Sequence, residues 1–209
     1  MRSAREPAGL LERAVGYGLS SLEEIPPRSL SGPTPCAGWD LAELLQHVGE
    51  SVSVLQQGAQ LGCITLVPPI EPALSLPEDA DPGARAEMLI GSVTAGIRRL
   101  LETWQRMHRD EVDVEGQPIT AETVEIVGAI EIAVHAWDIY EACGRHRPIP
   151  VRLALELTRA LPRIAGDLIR PGLFAPPVRT SPLGSPSDRL VAFLGRRPRR
   201  DEFLLPLGS

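Results

Sequence analysis

Lysine and asparagine are both missing from this 209-residue chain, so all 21 of its basic residues are arginine. Both are encoded only by AT-rich codons, and their joint absence implies a GC-rich genome. Cysteine is scarce: Cys36, Cys63 and Cys143 form an odd set without short paired spacing. A disulfide framework and a cysteine zinc knuckle are therefore not expected, and the chain is assigned to a reducing cytoplasm. No apolar stretch reaches membrane-spanning length, which argues against a membrane partner. A net charge of −6 without a long basic run argues against nucleic acid. The start, Met1 to Pro7, leads into an amphipathic helix rather than an apolar signal core, so export is not expected. Neither Gly-x-Gly-x-x-Gly nor Gly-x-Ser-x-Gly occurs, which removes a dinucleotide loop and a nucleophile elbow.

What is present is ordinary for a soluble globular domain: 43% hydrophobic and 23% charged residues. Apolar spacing predicts helices over about 7–24, 40–61, 82–108, 120–143 and 150–169. Asp40 with Glu43 three residues on forms a capping-box pattern, Thr120 is the expected N-cap of the fourth helix, and Gly144 its stop. Residues 64–80 carry four prolines and read as a loop. Glu111 to Ile119 alternates briefly, as a short strand or hairpin. After Arg170 the chain is rich in Pro, Gly and Ser, with one small helix near 186–194. Arginines 196–200 read most simply as a solvated terminus. The fold class expected is all-α, a four-helix bundle over 1–170 with an extension, 171–209, packing on it.

The chemistry concentrates in the fourth helix. Glu131 and His135 stand four residues apart and leave one face about a turn apart. Residues 126–137 are nearly all apolar, so that helix is buried almost all round. An ionised carboxylate is costly to bury unless it is paired or coordinates a metal. Two readings remain: a buried Glu–His hydrogen bond, or a metal site. His47, near the edge of the apolar stripe of the second helix, is the third candidate ligand. Two imidazoles and a carboxylate bind a divalent transition metal and leave positions open for substrate. Glu50 and Asp138 each follow a histidine by three residues and could orient it; for Asp138 a purely structural hydrogen bond is weighed evenly against that role. Trp39 and Trp137 read as packing residues, Cys36 as a loop packing residue without a neighbouring base, and His108 and His146 as exposed.

Thr34-Pro-Cys-Ala-Gly-Trp-Asp-Leu-Ala-Glu-Leu-Leu-Gln-His47-Val and Glu131-Ile-Ala-Val-His135-Ala-Trp-Asp138 resemble the N-terminal metal-binding domain of mycothiol-dependent maleylpyruvate isomerases, within the DinB-like helical bundles. Ser187 to Pro198 is similar to the ending of single-domain actinobacterial relatives. The resemblance implies a metal held by His47, Glu131 and His135, with no further catalytic residue assigned. It implies mycothiol, the small thiol of actinobacteria, as co-substrate and a small-molecule electrophile as partner, in a monomer or homodimer. Zinc is the default ion, with nickel, iron and manganese open. The family's isomerase carries an additional sterol-carrier-like C-terminal domain, which the Pro-rich tail does not resemble. Thiol transfer, thiol-assisted isomerisation, a metal–water hydrolase or isomerase, and a non-catalytic binding bundle are thus the functional expectations.

Overall fold

Short side chains cap the starts of several helices and fix where they begin. In the computed structural model, which describes residues 9–26, 29–65, 81–164 and 175–198, helix α1 spans Leu10–Leu22 and α2 Leu41–Leu61. The Asp40 carboxylate accepts from the Glu43 amide at 2.9 Å, and Glu43 returns a bond from the Asp40 amide at 2.8 Å. This reciprocal cap satisfies two amide donors that a helix start otherwise leaves unpaired. Gly62, at φ +78°, ends α2 in the left-handed region that glycine adopts without steric cost.

Helix α3 runs Pro82–Gln105 and α4 Ala121–Ala142, the latter capped by Thr120 Oγ1, which accepts from the Thr123 amide at 3.2 Å. These four helices make the bundle: α1 packs on α4, α2 on α3 and α4, and α1 also on α3. Gly18 permits the α1–α4 approach, since a Cβ there would lie 2.8 Å from the Ile132 side chain. Leu41, Leu44 and Leu45 from α2, Leu89 and Leu100 from α3, and Ile130 from α4 are almost fully buried at the centre. Truncating one such leucine to alanine typically costs about 2–5 kcal/mol.

A small sheet closes one end. Strand β1, Cys63–Ile64, pairs parallel with β2, Glu111–Val114, which pairs antiparallel with β3, Gln117–Thr120. The hairpin matches the alternation seen in the sequence, whereas β1 was not foreseen because two residues carry no period. Helix α5, Val151–Ile164, packs on α4 and α1, and α6, Pro186–Phe193, packs on α5. Ser187 at the start of α6 accepts from the Ile149 amide at 3.0 Å, which ties the tail to the loop before α5. Most of the proline-rich loop (66–80), the expected end of the fifth helix (165–169) and residues 199–209 lie outside the described residues. No helix among the described residues is long and apolar enough to cross a membrane.

Candidate metal centre

From Val124 to Tyr140, α4 is buried on nearly every side, with Glu131 among its few half-buried positions. One turn separates Glu131 from His135 and sets Oε2 of the first 3.2 Å from Nε2 of the second. From the facing helix, α2, His47 brings its Nε2 to 3.7 Å from the same oxygen. Four ligands on a tetrahedral ion, bound at about 2.0–2.2 Å, lie roughly 3.3–3.6 Å from one another. The observed spacings bracket that range.

Glu131 Oε2 is buried and accepts no hydrogen bond. A buried carboxylate oxygen that has imidazole neighbours but no aligned hydrogen-bond donor costs free energy that a metal ligand bond would recover. Burial by itself pushes the Glu131 carboxyl up, but the imidazoles of His135 and His47 outweigh it and hold the group well below the usual carboxylate range. Exposure rises across the three side chains, from 5% for His135 through 16% for Glu131 to 35% for His47. His135 is therefore sealed in the bundle, while His47 lies at its solvent-facing side. Trp39 stacks obliquely on His47, ring centroids 4.7 Å apart, and its carbonyl accepts from Thr34 Oγ1 at 3.0 Å. Trp39 is half-buried and packs against the core as expected while also lying beside the proposed ligand, and Trp137 is buried.

The other nitrogen of His135 faces a second cluster. Nδ1 lies 3.0 Å from Asp138 Oδ2, as the three-residue spacing anticipated. Asp138 has no exposure and also accepts from Arg196, at 3.3 Å from Nε and 2.9 Å from Nη2. Burial raises the Asp138 carboxyl, yet His135 and Arg196 together hold it below its ordinary value. Burial would lower the His135 imidazole, and its contacts with Asp138 and Cys36 together with the nearby Glu131 carboxylate raise it instead. Cys36 Sγ sits 3.2 Å from Asp138 Oδ2, 3.2 Å from Arg196 Nη2 and 3.9 Å from His135 Nδ1.

Two expectations change here. Arg196 is not part of a solvated terminus: it is buried, bonded to Asp138 and, through Nη1, to the Leu194 carbonyl at 2.9 Å. Its neighbour Arg197 is exposed, and Arg199 and Arg200 lie outside the described residues. Cys36 does not stand apart from titratable groups, since an imidazole and a carboxylate touch it. Both residues escaped the sequence because their partners are 58 to 160 positions away. Glu50 is exposed along the α2–α3 cleft with Gln46 and Gly49, and no hydrogen bond joins it to His47 among the described residues. His108 and His146 are exposed as expected, the latter 3.1 Å from Glu141.

A family model described as mycothiol maleylpyruvate isomerase N-terminal domain matches residues 11–140. Two uncharacterised proteins, from two strains of Mycobacterium tuberculosis, are each 28% identical over 202 residues, covering 93% of this chain and 100% of theirs. The crystal structure of the mycothiol-dependent maleylpyruvate isomerase superposes with a TM-score of 0.50 at 18% identity, covering 72% of this chain and 65% of that one. The chain thus matches somewhat less than two thirds of that isomerase, and the likeness is one of DinB-like fold. Cys36, His47, Glu131, His135 and Asp138 all fall inside the family match, and Arg196 beyond it.

Proposed function

From the premise that this chain belongs to the mycothiol maleylpyruvate isomerase N-terminal domain family, we propose that it is a metal-dependent enzyme that applies a small thiol of the mycothiol type to an electrophilic small molecule. The thiol is either transferred to the electrophile or adds and leaves again in an isomerisation. The observation that carries the reading is the orphaned, buried Glu131 Oε2 with two imidazole nitrogens at 3.2 and 3.7 Å.

Glu131, His135 and His47 would hold the ion. Two neutral nitrogens and one carboxylate suit zinc, nickel, iron or manganese alike. When bound, a divalent ion in such a site supplies Lewis acidity that lowers the pKa of a thiol and polarises a carbonyl. The protein's own groups do the rest. Asp138 accepts from His135 Nδ1, which fixes the tautomer that leaves Nε2 free to ligate. Trp39 covers one side of His47 with an apolar ring and keeps water from that face. The buried walls of α4 hold the dielectric low, which strengthens any charge interaction made there.

Turnover tests the proposal. Metal-reconstituted protein is incubated with mycothiol and a panel of activated alkenes, epoxides and unsaturated keto acids, following thiol consumption and product isomers. Activity that needs both thiol and metal, and disappears in Glu131→Gln, is the expected result. Turnover of the same panel by metal-loaded protein without any thiol would replace this reading with a metal–water hydrolase or isomerase. No turnover with any pair would leave the bundle a binding protein.

A further inference from the structure

His135 is shared by two ligand sets. Cys36 Sγ, His135 Nδ1 and Asp138 Oδ2 lie within 4.8 Å of one another on the side of the ring away from Glu131 and His47. Their separations are 3.2, 3.9 and 3.0 Å, close to the roughly 3.3–3.8 Å edges of a tetrahedral site with one sulfur ligand. Taken as donor atoms alone, this is a soft metal site as well formed as the first, and a thiolate would favour zinc or cobalt. What distinguishes it is a cation already in place. Arg196 Nη2 lies 2.9 Å from Asp138 Oδ2 and 3.2 Å from Cys36 Sγ, and the guanidinium is buried to 7% exposure. Its position is set by the Leu194 carbonyl and by α6, which packs on α5.

We propose that the Arg196 guanidinium fills the cation position formed by Cys36, His135 and Asp138, so that the centre takes one metal ion rather than an imidazole-bridged pair. Taking an ion on this side would expel the Cys36 thiol proton and the His135 Nδ1 proton to solvent, and a metal could not share the space with Nη2. An Arg is suited to the task because it stays charged, and its planar fork reaches both Asp138 oxygens. Three consequences follow from this one contact. The Asp138 charge is balanced, His135 keeps Nε2 for the first ion, and the protein's own thiol stays off the metal. In an enzyme that must bind a small external thiol, an internal thiolate ligand would compete for the same electrophilic centre. The inference rests on the proposed function for the first ion, but not for its test.

Cobalt(II) reports the answer directly, because a sulfur ligand adds a charge-transfer absorption in the near ultraviolet. Wild-type protein titrated with cobalt(II) is expected to take one equivalent without that absorption. Arg196→Met is expected to take two, with the absorption, and Cys36→Ser in the Arg196→Met background to lose both the absorption and the second ion. Arg196→Lys, which keeps a cation in place, is expected to match wild type. Arg196→Gln carries the same expectation as Arg196→Met should the latter fail to fold. One equivalent and no sulfur absorption in a folded Arg196→Met or Arg196→Gln would overturn the proposal, as would a sulfur absorption in wild type under excess cobalt. Failure of the proposed function looks different: wild type would take no ion, while Arg196→Met would take one with the sulfur absorption.

Discussion

The two sides of the His135 ring carry nearly the same kinds of atom and opposite designs. On the Nε2 side a carboxylate and a second imidazole converge, one carboxylate oxygen has no hydrogen bond, and His47 is 35% exposed. On the Nδ1 side a carboxylate and a thiol converge, Asp138 has no exposure, and both of its oxygens are paired with the protein's own guanidinium. Proximity of donor atoms therefore does not by itself make a metal site. The difference lies in what completes the set: the Nε2 side leaves a buried oxygen without a hydrogen bond beside the part-exposed His47, whereas the Nδ1 side is balanced from within.

Breaking the balanced side should have the largest effect on stability. Asp138→Ala removes the carboxylate that pairs with the buried Arg196 charge and with the His135 Nδ1–H, and a cost of about 3–5 kcal/mol in urea unfolding is expected. A cost below about 1 kcal/mol would mean that Arg196 finds water in place of Asp138. Glu131→Gln should have the reverse profile. Its shape is preserved, so unfolding should shift by less than about 2 kcal/mol in metal-free protein, while bound metal measured by elemental analysis falls to background. Retention of wild-type metal in that variant would remove Glu131 from the site. Glu50→Ala should change least: less than about 0.5 kcal/mol in stability and no change in metal content, because Glu50 is exposed along the α2–α3 cleft. A tenfold loss of metal affinity there would instead give Glu50 the orienting role that its spacing from His47 suggests.

How much was legible in the sequence follows from how local each feature is. The Asp40–Glu43 capping box, the Thr120 cap and the Glu131–His135 and His135–Asp138 pairs all lie within one helical turn, and each is found as expected. The burial of α4 was legible because its apolar residues leave no polar face. His47 could be nominated because the helix stripe and the loop motif before it agree. The same logic failed for Glu50, whose three-residue spacing allows contact with His47 but whose side chain lies along the exposed cleft. The partners of Cys36 and Arg196 could not be read. Nothing local separates Arg196 from Arg197, and only the packing of α6 on α5 carries one inward and leaves the other exposed. The family match stops at residue 140, and the similarity of Ser187 to Pro198 to the ending of actinobacterial relatives assigns Arg196 no role.

Metal content of the purified protein bears most directly on the Nε2 side. Wild type and His47→Ala are prepared without chelator or nickel-affinity steps, and metal is measured by inductively coupled plasma mass spectrometry, before and after reconstitution. His47 is the most exposed of the three candidate ligands, so its loss should cost little stability and leave a folded protein to compare. Near-stoichiometric metal in wild type, falling to background in folded His47→Ala, is the expected result. Wild type that holds no metal even after reconstitution would contradict it, and Glu131 and His135 would then be a buried polar pair in a binding protein.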